Sequence, residues 1–220
     1  MRYPYKFLPF LIGMLLWLAH PIYGQAIREH ILLDNGWKFS LGHATDPTKD
    51  LYYRVYNDFS KTLSKGINFS SIDYDDSAWQ TVDLPHDWAV TLPFSEKGDW
   101  SHGYKALGST FPEHSIGWYR KTFDLSKSEA SKRIELQFDG IFRDSRCWVN
   151  GIYVGHHLSG YTGIKYDITD LVHFGKPNVI TVRVDATQNE GWFYEGAGIY
   201  RHVWLNTYSP VHSSPEKVFI

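Results

Sequence analysis

The feature that most constrains this chain is a period-two alternation of apolar and polar residues, repeated in short runs that Gly or Pro cuts off each time. Ile134, Leu136 and Phe138 alternate with Glu135, Gln137 and Asp139, and Ile180, Val182 and Val184 share one face of the run from Val179 to Val184. The pattern returns over Trp118 to Phe123 and His202 to Leu205. Successive side chains of an extended chain point to opposite faces, so each run turns one face to a core and the other to water. Breakers at Pro85, Gly103, Gly108, Gly117, Gly140, Gly155, Gly175 and Pro177 keep the runs short. Many short strands between such breakers predict an all-β fold, a jelly-roll-like β-sandwich.

Within that frame, Asn150 and Gly151 stand between two β-favouring runs. Both residues tolerate the positive φ of a type I′ turn, which predicts a hairpin over Cys147 to His156. Ser126 to Lys132 has room for one or two helical turns, and no longer helical period follows the leader. Residues 42–70 lack periodicity and read as a long insertion or a poorly ordered excursion.

The first 24 residues have the layout of a secretory signal. Arg2 and Lys6 precede an apolar run from Phe7 to Ala19, and a short polar stretch ends at Gly24. That run falls short of the roughly 20 residues a membrane-spanning helix needs, so a cleaved signal and a periplasmic or secreted product are expected. The expected organisation is a signal peptide at 1–24, one sandwich domain at 25–208, and a linker at 209–220.

The net charge of −2 becomes more acidic when Arg2 and Lys6 leave with the signal, and no basic run remains. Nucleic acid and anionic membrane surfaces are therefore not expected partners. Cys147 is the single cysteine, which excludes an internal disulfide and a four-cysteine zinc site. No phosphate loop, dinucleotide fingerprint or metal-binding His spacing stands out, so no cofactor or metal is expected. Trp, Tyr and Phe make up 17% of the chain. Such rings fill cores, and they are also what the faces of sugars stack on.

Four segments carry a more specific signal: W-Q-T-V-D-L-P-H-D-W at Trp79 to Trp88, G-W-Y-R-K-T-F at Gly117 to Phe123, the stretch from Phe138 to Tyr161 that begins F-D-G-I-F-R-D-S-R, and G-W-F-Y-E-G-A-G-I-Y-R-H-V-W-L at Gly191 to Leu205. In this order and spacing they resemble the N-terminal sugar-binding domain of glycoside hydrolase family 2, which includes β-galactosidases, β-glucuronidases and β-mannosidases. The resemblance runs from about Leu33 to Tyr208 and implies a galactose-binding-domain-like jelly roll.

Each motif also has a reading of its own. Pro85 ends a strand and throws His86, Asp87 and Trp88 into a loop. There they either face a sugar or serve as a backbone partner, a turn cap and a core ring. Arg143, Asp144 and Arg146 read as an ion-pair network. The family resemblance implies that the loop before Gly198 to Arg201 reaches the sugar held in a neighbouring barrel. On that loop Glu195, Trp192 and Tyr194 are the candidates for contact, with structural roles as the alternative, and Arg201 reads as a buried, paired charge.

Hydrolysis with retention needs two carboxyl groups about 5 Å apart across the scissile bond. Asp75 and Asp76, and Asp167 and Asp170, read as turn and cap residues. No catalytic residue is therefore assigned. In the family, two glutamates on a β/α barrel do this work, after an immunoglobulin-like domain. Ser209 to His212 look like the linker into that missing domain. The expected function is the carbohydrate-binding part of a family 2 glycosidase, β-galactosidase first, with a β-galactoside-type glycan as ligand and the other domains as partners. A free-standing, lectin-like carbohydrate-binding module is the alternative.

Overall fold

The computed structural model describes residues 28–51, 69–191 and 195–210. Residues 1–27, in which the signal segment was expected, 52–68, 192–194, with Trp192 and Tyr194 among them, and 211–220 lie outside them. Ten strands are described: β1 (Arg28–Leu32), β2 (Trp37–Leu41), β3 (Gln80–Val82), β4 (Ile116–Asp124), β5 (Arg133–Phe138), β6 (Ser145–Val149), β7 (Ile152–His157), β8 (Ile164–Asp167), β9 (Pro177–Asp185) and β10 (Val203–Tyr208). They form two antiparallel sheets, β1-β10-β5-β8 and β3-β2-β4-β9-β6-β7. Two short 3-10 turns, Trp88–Thr91 and Lys127–Glu129, supplement them among the described residues. The all-β sandwich is the fold the alternation predicts.

Parity explains which side chains meet. Ile134, Leu136 and Phe138 of β5 are fully buried, as are Ile180, Val182 and Val184 of β9, and all six belong to the core between the sheets. Tyr119 and Phe123 of β4 join them, while Trp118 and Arg120 point to the opposite face of the same strand. That face is covered too. Phe69 packs edge-on against Trp118 and Trp148, with ring centroids 4.7 and 5.1 Å away. Removing one such ring from water contributes about 2–3 kcal/mol.

The covering segment is fixed by charge as well. Arg120, 1% exposed, donates from Nε to Asp76 Oδ2 at 2.8 Å and from Nη2 to the Ser71 carbonyl at 3.0 Å. Nη1 meets the Phe69 carbonyl and, at 3.3 Å, Thr181 Oγ1. Asp50 is fully buried, 3.6 Å from Arg183 Nε, and accepts from Trp118 Nε1. The described ends of the 42–70 region are thus an outer layer of the six-stranded sheet.

The hairpin forms as its turn chemistry predicts. Asn150 and Gly151 take φ values of 49° and 87° between β6 and β7. Asn150 also braces the neighbouring strand, accepting from the Val179 amide at 2.9 Å and donating to Asn178 Oδ1 at 2.8 Å. At Ser126 the expected helical turn is a 3-10 turn, Lys127–Glu129, closed by a capping box with Glu129. The charge network is rearranged relative to expectation. Asp144 pairs with Arg146 and His156, while Arg143 reaches Glu190 at 3.3 Å. Arg201 is exposed, its guanidinium over the Tyr200 ring, which corrects the reading of it as a buried ion pair.

Candidate functional site

Three segments converge at one end of the sandwich: the turn after β3, the connection from β9 to β10, and the loop between β7 and β8. Asp87 is extended and caps a single 3-10 turn, Trp88–Thr91, its Oδ1 accepting from the Ala89 amide at 2.9 Å. The same oxygen accepts from the Ala197 amide at 2.8 Å. Alongside, the His86 amide donates to the Ile199 carbonyl at 2.9 Å and the Trp88 amide to the Ala197 carbonyl at 3.0 Å. The two segments are zipped together by their backbones.

So close an approach needs glycine. A methyl group at Gly196 would fall 2.0 Å from Asp87 Oδ2. At Gly198, where φ is +128°, it would fall 2.4 Å from the His86 carbonyl oxygen and 2.5 Å from the Tyr119 hydroxyl.

Asp87 is partly exposed, and its Oδ2 has no hydrogen-bond partner among the described residues. Burial raises the pKa of this carboxyl group, against the pull of its two amide donors and of nearby His102 and Lys105. A single unpaired oxygen on a braced turn is an acceptor suited to a ligand hydroxyl.

Its neighbours in the motif serve the fold. Trp88 is 3% exposed, packed with Phe39 and Tyr119, and its Nε1 donates to the His114 carbonyl at 2.8 Å. The reading of Trp88 as a sugar-facing ring is corrected: its seat against Phe39 and Tyr119 places it in the core. His86 shares a 2.7 Å hydrogen bond with the Tyr119 hydroxyl, and burial lowers its pKa.

Glu195 is tied to residues 190 and 191 and to the β7–β8 loop. It is 1% exposed, accepting from the Glu190 amide at 2.9 Å, from the Gly191 amide, and from the Tyr161 hydroxyl at 3.1 Å. Its own amide donates to the Ser101 carbonyl at 2.7 Å, and His102 Nδ1 donates to its carbonyl at 3.0 Å. With both oxygens taken, this carboxylate is turned inward, so the reading of it as a sugar contact is replaced by a structural one. Trp192 and Tyr194 lie outside the described residues.

Sequence reasoning did not single out Tyr161, Ser101 or His102, and ranked Glu190 behind Glu195, Trp192 and Tyr194. Glu190 accepts from Ser159 Oγ at 2.9 Å and from the Gly160 amide at 2.6 Å, joining the β7–β8 loop to this end. Burial and the charge of Glu195 push the Tyr161 hydroxyl up to about 12. The available signal was Ser159-Gly160-Tyr161 at the end of the third motif, a tight turn followed by a ring.

Retaining glycoside hydrolysis uses two carboxyl groups about 5 Å apart; of the acids that share this end with Asp87, Glu195 is engaged by the Glu190 and Gly191 amides and the Tyr161 hydroxyl, and Glu190 by Arg143, Ser159 and the Gly160 amide. Among the described residues, no group of three or more His, Cys, Asp or Glu side chains is placed to hold a metal ion.

Comparison with known proteins agrees with this picture. Residues 31–209 match the family model for the sugar-binding domain of family 2 glycosyl hydrolases. A β-galactosidase of Bacteroides ovatus, BoGH2A, is 38% identical over 151 residues, which make up 68% of this chain and 17% of that protein. A putative β-glucuronidase of Formosa agariphila is 37% identical over 165 residues, 74% of this chain and 15% of that protein. Among solved structures, a family 2 glycosyl hydrolase from Bacteroides cellulosilyticus superposes with a TM-score of 0.65 at 31% identity, covering 82% of this chain and 21% of that one. The chain thus spans about a fifth or less of the length of these relatives.

Proposed function

The chain belongs to glycoside hydrolase family 2, in which it is the sugar-binding domain, and from that premise we propose that it supplies one wall of a glycosidase active site. Asp87 Oδ2 accepts a hydroxyl of the bound sugar, and the loop through Trp192 and Tyr194 adds stacking surface. The acids that break the glycosidic bond come from a β/α barrel, reached through an immunoglobulin-like domain. A β-galactoside-type glycan is the ligand, and the first 24 residues direct the protein to the periplasm or the exterior.

One observation carries the proposal: an unpaired carboxylate oxygen is held on a turn whose other oxygen is fixed by two backbone amides. Galactosides and glucuronides differ at C6, where only the latter carries a negative charge. A nearby Asp that accepts hydrogen bonds favours the neutral sugar, because two carboxylates in one site repel.

The test is Asp87→Asn in the purified chain, measured by calorimetry against methyl β-galactoside and methyl β-glucuronide. Asparagine retains an acceptor oxygen for the Ala89 and Ala197 amides and replaces Oδ2 by a donor. Binding of the galactoside is expected to weaken at least tenfold while the fold is unchanged. Equal binding by wild type and variant would sink the assignment of Asp87, and preference for the glucuronide would overturn the choice of sugar.

A further inference from the structure

The excursion between the Asp87 turn and β4 holds an unusual set of side chains. Phe94 is 75% exposed, Tyr104 56% and Trp100 53%. Single exposed rings are ordinary, but three on one eleven-residue excursion, two of them lining one cleft, call for an occupant.

The patch is built on a firm base. Phe94 and Lys105 form an antiparallel bridge, with the Ser95 amide donating to the Tyr104 carbonyl at 2.8 Å and the Ala106 amide to the Pro93 carbonyl at 2.9 Å. Lys105 Nζ donates to the Leu92 and Val90 carbonyls at 2.8 and 3.1 Å, and sits 4.0 Å from the centre of the Phe94 ring. Tyr104 has φ of 59°, a left-handed conformation that bulky residues seldom adopt. This backbone turns its ring outward, and Phe94, Ser95, Glu96 and Tyr104 line a shallow cleft.

The excursion is continuous with the candidate sugar wall. Lys105, which braces Phe94, also acts electrostatically on Asp87. Ser101 and His102 carry the hydrogen bonds that hold the Glu195 backbone.

From this placement we propose that Phe94 and Tyr104 form a second carbohydrate subsite, which takes the next sugar ring of an oligosaccharide whose terminal sugar meets Asp87. The proposal rests on the sugar-binding role given above. Pyranose rings present C–H faces that pack on aromatic rings, with hydroxyl groups around the edge. Here Ser95 and Glu96 line the cleft beside the two rings and can receive them, while Lys105 lies over one face of Phe94. A protein-docking face would instead be expected to carry few charges in its centre. The charged residues Glu96, Lys97, Asp99 and Lys105 are interleaved with these rings.

Every residue of this subsite lies within the chain, so the purified chain is enough to test it. Calorimetry and saturation-transfer NMR would compare methyl β-galactoside with a β-linked galactotriose, for wild type and for the double variant Phe94→Ala, Tyr104→Asn. Asparagine accepts the left-handed backbone at position 104. The triose is expected to bind at least fivefold tighter than the monosaccharide, the double variant to lose that gain, and its melting temperature to stay at the wild-type value. Equal affinities for the two sugars in wild type, or a gain that survives the double substitution, would overturn the subsite and leave the Asp87 reading standing. A gain that is lost in the double variant, with Asp87→Asn leaving monosaccharide binding intact, would support the subsite and remove the Asp87 reading. Concentration-dependent association abolished by the double substitution would reassign the rings to a protein contact and overturn the subsite.

Discussion

Asp87 Oδ1 and the Ala197 amide, 110 positions apart in the chain, are joined by a hydrogen bond of 2.8 Å. The bond fixes one carboxylate oxygen, and the other, without a hydrogen-bond partner among the described residues, lies against Gly196. Position 196 therefore has no room for a side chain.

Gly196→Ala and Gly198→Ala should both destabilise the protein. The first places a methyl group against Asp87 Oδ2, and the second meets the His86 carbonyl from a left-handed backbone. Overpacking of this kind costs about 1–3 kcal/mol, which for a domain of this size lowers Tm by roughly 4–8 °C at the middle of that range. Thermal unfolding measures it, and an unchanged Tm for either variant would refute the close approach.

The carboxyl group of Asp87 has its pKa raised by burial. Between its unfolded and folded pKa values the native state holds the proton more tightly, so stability falls as pH rises through that window. Asp87→Asn removes this cost. The variant should be more stable than wild type at pH 7, and the difference should shrink as pH falls below about 4, where Asp is protonated in the unfolded chain too. Urea unfolding at pH 3, 5 and 7 would test this. A difference that grows on acidification contradicts the assignment.

Arg120→Lys should be costly despite keeping the charge. The guanidinium serves Asp76, two backbone carbonyls and Thr181 at once from three different nitrogens. A lysine ammonium is a single point and cannot span them. A loss of about 3 kcal/mol is expected, together with faster proteolysis near residues 69–76. Wild-type stability in the lysine variant would show that the outer layer is held by its rings alone.

Glu195→Gln should loosen the loop without unfolding the sandwich. An amide nitrogen would face the donors of Glu190, Gly191 and Tyr161 in place of one acceptor oxygen, leaving buried polar groups unpaired. Hydrogen exchange at the amides of residues 190 and 191 should accelerate at least tenfold, with little change in the central strands. Unaltered protection there would mean that Glu195 does not hold the loop.

The sandwich could be read from the sequence because burial in a sheet follows parity, and parity is local. Ile134, Leu136 and Phe138 announce their face without reference to any other strand, and Asn150-Gly151 specifies a turn by its own backbone preferences. The site was less legible. Pro85 correctly marks a loop, but a Trp after His-Asp can point in or out, and only the seat beside Phe39 and Tyr119 sends Trp88 inward. Glu195, next to rings and glycines, resembles a ligand contact. Its real partners are amides four and five residues back, which become donors only when the loop folds over. Arg201 went the other way, since a charge within a motif says nothing about the depth at which the strand begins. The aromatic excursion had no periodicity to reveal it, because a ribbon framed by one bridge is too short to alternate.

Strand β1 enters the fold beside the point where β10 leaves it, with Arg28 opposite Tyr208 in the antiparallel register. Both ends of the domain therefore open on the same edge, a strand spacing of about 5 Å apart. A short linker would join them, so new termini could be cut into an exposed turn such as Lys127–Glu129 without removing a strand. The domain is in this sense a cassette, transferable between host chains at the cost of two adjacent junctions.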